Sequence, residues 1–162
     1  MTKGIKICIH WTAGGLVPSN VDLEHYHFVV DSNGKVHKGS YTPEDNFYIP
    51  RGKTRYAKHC GGGNTKTIGI AVCGSGVAWH PPLMTQKGVE ALLKKCAELC
   101  YEYDIPIQET RVYTHYEFGK KHPKTSSAGK IDIYKIPYEP QLDSEEVGEY
   151  LRKKIRWYFK KL

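Results

Sequence analysis

Two histidines fall where chemistry tends to gather. His10 closes an alternating apolar and polar segment, residues 5–11, and His115 closes a second short segment, RVYTH at residues 111–115. Both segments read as strands, and strand ends along one edge of a sheet are where sites collect in α/β folds. Lys130 and Asp132 are two residues apart, so an extended segment would point them to one side. Two imidazoles and one carboxylate make a three-ligand set with an open fourth position. That is the arrangement of a catalytic zinc site, where bound water falls to a pKa of about 7. The competing reading is a set of hydrogen-bonded structural histidines, and no HExxH pattern decides between the two.

The elements that must position these groups are legible from periodicity and turn chemistry. Residues 14–18 read as a loop. Strands at 27–30 and 35–38 flank Asp31-Ser32-Asn33-Gly34, a hairpin signal because Asn-Gly accepts positive φ. Residues 40–63 are polar and rich in Gly, Pro and Tyr, as expected of a long functional loop over one face. The β-branched run at 67–73 predicts a buried central strand, with a loop over 74–82 after it. Val89, Leu92, Leu93, Cys96, Leu99, Cys100 and Tyr103 recur at helical spacing, which predicts a helix over 85–104 capped by Thr85. Residues 118–129 read as a loop. A last helix over 144–161 begins at a Ser144 cap, has an apolar stripe of Val147, Tyr150, Leu151, Ile155 and Tyr158, and carries Arg152, Lys153, Lys154, Arg156, Lys160 and Lys161. Those cations form either a solvated face or a surface for an anionic polymer. The fold class is α/β in the mixed α+β sense, a central mixed β-sheet flanked by helices.

Composition bounds the rest. The 162 residues suit one domain, and their 40% hydrophobic and 25% charged content excludes a disordered or fibrous chain. The formal charge of +7 points to an anionic partner: nucleic acid, membrane surface or cell-wall polymer. No apolar run approaches the roughly 20 residues that span a bilayer, so no membrane insertion is expected. The first residues lack the apolar core of a signal peptide, so no signal peptide is expected. Nothing matches a nucleic-acid-binding pattern, so no specific nucleic acid is expected. The five cysteines are odd in number and lack CxxC spacing, and Cys96 and Cys100 read as core residues.

Five blocks then stand in order: ICIHWTAGG, HYHFVVDSNGKVHKG, AKHCGGGNTKTIGIAVCG, VYTHYEFGKKHP and GKIDI. This ordered set, over residues 5–136, resembles the zinc-dependent N-acetylmuramoyl-L-alanine amidases. They form the amidase-2 family, which includes phage lysozyme-type amidases and peptidoglycan recognition proteins. The resemblance implies that His10, His115 and Asp132 bind Zn2+. It implies that Lys130 stabilises the oxyanion beside the metal, and that Tyr26 serves the leaving amine with its phenol pKa lowered by the nearby cations. His59 and Asn64 would contact the stem peptide. Residues 1–140 would form the catalytic domain, with 141–162 a basic helix packed on it. His25 and His27 flank Tyr26, and strand alternation would turn both away from it.

Three departures from the family pattern matter. Ala71 stands where some relatives carry an acid/base glutamate. The stretch from His115 to Asp132 is longer than in compact phage enzymes, which makes His122 a rival third ligand. Cys60 and Cys73 fall in variable blocks, and neither is assigned to metal.

The implied function is hydrolysis of the amide between N-acetylmuramic acid and L-alanine in bacterial peptidoglycan. The chain would be a monomeric phage or prophage endolysin, held in the host cytoplasm until holin-dependent release to the wall. A cytoplasmic muropeptide-recycling amidase would carry the same site. A non-catalytic peptidoglycan-binding protein of the same fold is the other reading, and it would typically lose a zinc ligand.

Overall fold

Alternation along the first strand divides the molecule into two layers. The computed structural model describes residues 3–162. In it β1 (Lys6–Trp11) lies between β4 (Thr67–Val72) and β5 (Val112–Thr114), parallel to both. β2 (Phe28–Val30) pairs in parallel with β4, and β3 (Val36–Lys38) pairs antiparallel with β2. The sheet order is β3-β2-β4-β1-β5, the mixed sheet expected. The hairpin turn differs in detail: only Gly34 takes positive φ, and the Asp31 carboxylate closes the turn by accepting from the amides of Asn33 and Lys35.

On one face, Ile7, Ile9 and Trp11 stand in register with Ile68, Ile70 and Val72. α2 (Gln86–Glu102) and α4 (Ser144–Phe159) seal this face with Val89, Leu92, Leu93, Leu151 and Ile155. Burying each such side chain contributes about 1.5–3 kcal/mol, against a spread of about 0.7 kcal/mol in helix propensity among ordinary residues. Packing therefore decides where these helices lie. Thr85 caps α2 as expected, whereas Asp143, not Ser144, caps α4. Cys96 and Cys100 belong to this core. No helix among the described residues is long and apolar enough to cross a membrane.

The opposite face carries Cys8 and His10, in register with Gly69 and Ala71. The long segment of residues 40–66 lies over it, with one 3-10 turn (Pro43–Asn46) as regular structure. Asn46 holds this segment from inside. Its side chain donates to the carbonyls of Ala57 and Asn64 and accepts from the Ala57 amide and His27 Nε2.

Two short helices leave no periodic signature in the sequence. α1 (Asn20–His25) is closed by a capping box of Ser19 and Asp22, and α3 (His115–Lys121) by one of Thr114 and Glu117. His115 therefore opens a helix instead of ending a strand. His25 ends a helix, so strand alternation does not govern it: it is exposed at the cleft, whereas His27 is buried.

The basic helix also differs from its expectation. Arg152 is 3% exposed and binds Glu117, Glu149 and the Val112 carbonyl. Arg156 binds Glu149 and the Ile107 carbonyl, and Lys154 binds Glu90. Lys153, Lys160 and Lys161 remain exposed.

Candidate metal centre

Three elements converge on one point. β1 delivers His10, the first turn of α3 delivers His115, and Asp132 comes from the irregular segment after α3. That segment is pinned by Ile133 and Ile136 in the core and by the Tyr116 amide, which donates to the Asp132 carbonyl at 2.6 Å. The ligand-capable atoms of His10, His115 and Asp132 all lie within 4.8 Å of one another. His10 Nδ1 is 2.8 Å from one Asp132 oxygen and His115 Nδ1 is 3.3 Å from the other. His122 lies outside this group, exposed at the end of α3, its Nδ1 donating to the Phe118 carbonyl.

The hydrogen bonds behind the two imidazoles fix their tautomers. His59 Nε2 lies 3.0 Å from the Thr67 carbonyl, which can only accept, so Nε2 carries the proton. Burial, followed by its histidine neighbours, holds His59 well below the ordinary imidazole pKa, so the ring is neutral and its Nδ1 accepts. The donor facing it is His10 Nε2 at 3.0 Å. On the other side, Ser127 Oγ gives its proton to the Gly61 carbonyl at 2.7 Å. It must therefore accept from His115 Nε2, 2.9 Å away.

Each ring thus spends its Nε2 proton on a protein acceptor and turns Nδ1 toward Asp132. Two nitrogen lone pairs and a carboxylate face one another with no proton of their own, so a cation belongs between them. In the metal-free arrangement that cation is a proton. Burial works against charge on His115, but Asp132 and Cys60 outweigh it and raise the pKa to about 9. Burial keeps His10 below its ordinary value although Asp132 pulls it up. Burial would raise the Asp132 carboxyl, yet the two imidazoles hold it below the usual carboxylate range.

Two imidazole nitrogens and a carboxylate oxygen are a donor set that zinc accepts, and the convergence of bare acceptors fits it to such an ion. Cys8, His10 and His59 also lie within 4.8 Å of one another, but all three are buried. In that group both His59 ring nitrogens are already engaged, by the His10 ring and by the Thr67 carbonyl, so His59 has no lone pair to spare.

The cleft over the centre has a volume of about 480 Å3 and is walled by Trp11, Tyr26, Lys58, Asn64 and Lys130. Lys130 is exposed at its mouth, and although its segment is not a strand, it and Asp132 line the same cleft. The Tyr26 ring is 5.0 Å from that of His10, held where α1 hands over to extended chain. Burial, then Asp132 and Asp22, raises the Tyr26 phenol, opposite to the lowering expected from nearby cations.

His59 and Asn64 also line the cleft, where both His59 ring nitrogens and the Asn64 side-chain oxygen are engaged within the protein. His59 is 6% exposed with both ring nitrogens bonded, and Asn64 Oδ1 accepts from the amides of His59 and Cys60. The His59 ring fits beneath the loop because Gly69 has no Cβ there; one would collide with the imidazole.

Over residues 4–131 the sequence matches the family described as N-acetylmuramoyl-L-alanine amidase. The chain belongs to that family. The expectation of an enzyme, an N-acetylmuramoyl-L-alanine amidase, stands with this membership. No curated protein matches the sequence.

Solved structures support the amidase fold. The endolysin N-acetylmuramoyl-L-alanine amidase LysCS from Clostridium intestinale URNW is similar, with a TM-score of 0.56 at 16% identity, over 93% of this chain and 82% of that one. PlyL is similar with a TM-score of 0.56 at 20% identity, over 93% of this chain and 82% of that one. The Drosophila peptidoglycan recognition protein SD has a TM-score of 0.50 at 16% identity, over 78% of this chain and 76% of that one. At these identities the likeness concerns the amidase fold alone.

Proposed function

We propose that this amidase is a zinc-dependent hydrolase that cuts the bond between N-acetylmuramic acid and L-alanine in bacterial peptidoglycan. The observation that carries this reading is the convergence of His10 Nδ1, His115 Nδ1 and the Asp132 carboxylate as proton-free acceptors beneath an open cleft. Those three residues would hold the ion. When bound, zinc supplies a Lewis acid and a water of lowered pKa.

The chain's own residues supply the remainder. Lys130, exposed at the cleft mouth, presents a fixed cation to the carbonyl oxygen as negative charge develops on it. Tyr26 keeps its proton, since burial raises its pKa, and so enters as a hydrogen-bond donor toward the leaving nitrogen. Ala71 is fully buried in β4 and offers no carboxylate, so the acid/base burden rests on Tyr26 and solvent. We expect Lys130→Ala and Tyr26→Phe each to lower kcat by about 10²-fold with little change in KM or zinc content. Steady-state kinetics with metal analysis would check this, and a fall in zinc content would show that the residue had been misassigned.

His59 and Ser127 orient the ligands instead of touching substrate. His59→Ala removes the acceptor for His10 Nε2, and Ser127→Ala removes that for His115 Nε2. Each change should weaken zinc binding about 10–100-fold, measured by competition with a chromogenic chelator. Unchanged affinity in both variants would refute the tautomer assignment.

The biological setting we attach is that of a phage or prophage endolysin. It would wait in the host cytoplasm, act as a monomer after holin-dependent release, and be drawn to the anionic wall by exposed lysines such as Lys153, Lys160 and Lys161. Co-expression with and without a holin tests it: lysis is expected only with the holin. The central test is digestion of purified muropeptides read by mass spectrometry. Peptide with a free L-alanine amino end should appear, disappear on chelation and return with added zinc. Zinc binding without cleavage would mark a recognition protein, and neither binding nor cleavage would sink the site.

A further inference from the structure

On the face of the sheet that carries His10, one aromatic cluster takes no part in the chemistry. Cys8, Cys60, Tyr113 and Phe118 form a second, smaller core between β1, β5 and α3. Tyr113 stands in register with Cys8, and its ring stacks on that of Phe118, with centroids 5.7 Å apart and planes inclined by 24°. His122 stacks on Phe118 in turn, at 4.0 Å and 15°. Phe118 fits against the loop before β4 because Gly63 has no Cβ there; one would collide with the ring. The series of three rings is therefore held in place before any ligand arrives, and little freedom is lost when one does.

Tyr113, Phe118 and His122 wall a cavity of about 240 Å3 that shares no residue with the catalytic cleft. Its size lies between the roughly 150 Å3 cavity that holds one benzene and the 300 Å3 or more of a drug-sized site. One ring or a fused pair fits, and the neighbouring arenes favour a flat one. Lys121 and Glu109 both line the cavity, are exposed, and pair at 2.8 Å, which gives it a polar rim. A long flexible chain would have to break that rim; a compact ring would not.

Charge is unbalanced where β1 borders the cavity. Lys6 lines it, and the Lys6 ammonium donates to the Gly4 carbonyl at 3.3 Å. Burial, then the nearby cations Arg111 and Lys66, pushes the Lys6 pKa down. Arg111 spends Nε and Nη2 on the Ile5 carbonyl. Among the described residues, Lys6, Lys66 and Arg111 form no ion pair with a carboxylate. The two acids in the wall are already matched, Glu109 by Lys121 and Glu117 by Arg152. An anion beside Lys6 would relieve crowded positive charge and meet no unpaired carboxylate in the wall. We propose that this cavity is a binding site for a small aromatic carboxylate, with its ring against Tyr113 and Phe118 and its anion on Lys6. The site is separate from the metal centre and does not depend on the amidase reading.

The test is an NMR titration of the full-length, chelated protein with 2-naphthoate. Saturable shifts are expected at Tyr113, Phe118 and Lys121, with a Kd of about 10⁻⁴ M. The neutral isostere 2-naphthamide should bind about tenfold more weakly. Lys6→Gln should remove that difference, and Lys66→Gln should weaken the acid while leaving the amide unchanged. Thr110 is exposed at the cavity, so Thr110→Trp can crowd it without entering the core, and this variant should lose both ligands. No saturation at about 10 mM, shifts centred on Tyr26 and Lys58, or equal affinity for acid and amide would each overturn the proposal. So would a preference for the acid that survives both lysine variants. The readout is binding to metal-free protein, so failure of muropeptide cleavage would leave this site standing, and a silent titration would leave the amidase reading standing.

Discussion

Asp132→Asn should abolish zinc uptake and amidase activity and also destabilise the metal-free protein modestly. The expected activity loss is about 10³-fold, equivalent to roughly 4 kcal/mol of transition-state stabilisation. The stability half of this expectation comes from the tautomers. In the parent, His10 Nδ1 and His115 Nδ1 both face a buried carboxylate, and a proton must be held among them. An asparagine amide can donate to one Nδ1 through its NH2 group. Its oxygen accepts from the other ring only when that ring is protonated, which strands a buried imidazolium without its carboxylate, whereas a neutral ring turns a lone pair on that oxygen. The site would thus be one partner short without a metal and poorly suited to holding one. Asp132→Cys should retain zinc and part of the activity, because a thiolate replaces the carboxylate with another anionic zinc ligand. Metal analysis, calorimetry of the chelated protein and turnover on muropeptide check the three parts. Asp132→Asn protein that still binds zinc tightly would exclude Asp132 as a ligand and reopen the choice of the third one.

How much of this was legible in the sequence differs by element. β1, β4 and α2 announce themselves because each repeats its period several times and one side of each is sealed in the core. α1 and α3, of six and seven residues, are too short for a period to register. Their only local signals are the Ser19-x-x-Asp22 and Thr114-x-x-Glu117 capping boxes. Misreading α3 as loop also hid the reason His115 faces the site, because its direction is set by the first helical turn.

The candidate trio is accessible through strand ends and family motifs. The bonds that orient it are not. His59 reaches His10 only because Gly69 in β4 leaves room for an imidazole, a meeting of residues brought together by the sheet. Ser127 and Gly61 meet across a long stretch of sequence for the same kind of reason. Arg152 likewise read as one more cation on a basic face, since nothing local marks it as the member that turns inward.

That inward arginine carries the second large expectation. Arg152→Ala should destabilise the protein by about 3–5 kcal/mol, because it leaves the Glu117 carboxylate in a largely enclosed position without its partner. For a chain of this size that corresponds to a fall in Tm of about 10 °C. The guanidinium grips both Glu117 oxygens at 2.9 Å and donates to the Val112 carbonyl at 3.0 Å. Glu117 in turn accepts from the Thr114 amide, closing the capping box that starts α3 at His115. Gly148 on α4 permits this approach, since a Cβ there would run into the Glu117 carboxylate. The C-terminal helix therefore acts on the metal centre through one ion pair, and the same variant should also bind zinc more weakly. Arg152→Met with Glu117→Gln should recover more than half of the lost stability: the glutamine oxygen still accepts from Thr114, and no buried charge is stranded. Thermal unfolding of the chelated proteins measures the stability part free of metal linkage. A loss below about 1 kcal/mol for Arg152→Ala would mean that the pair is solvated like a surface bridge. The link from α4 through Glu117 to His115 would then have to be abandoned.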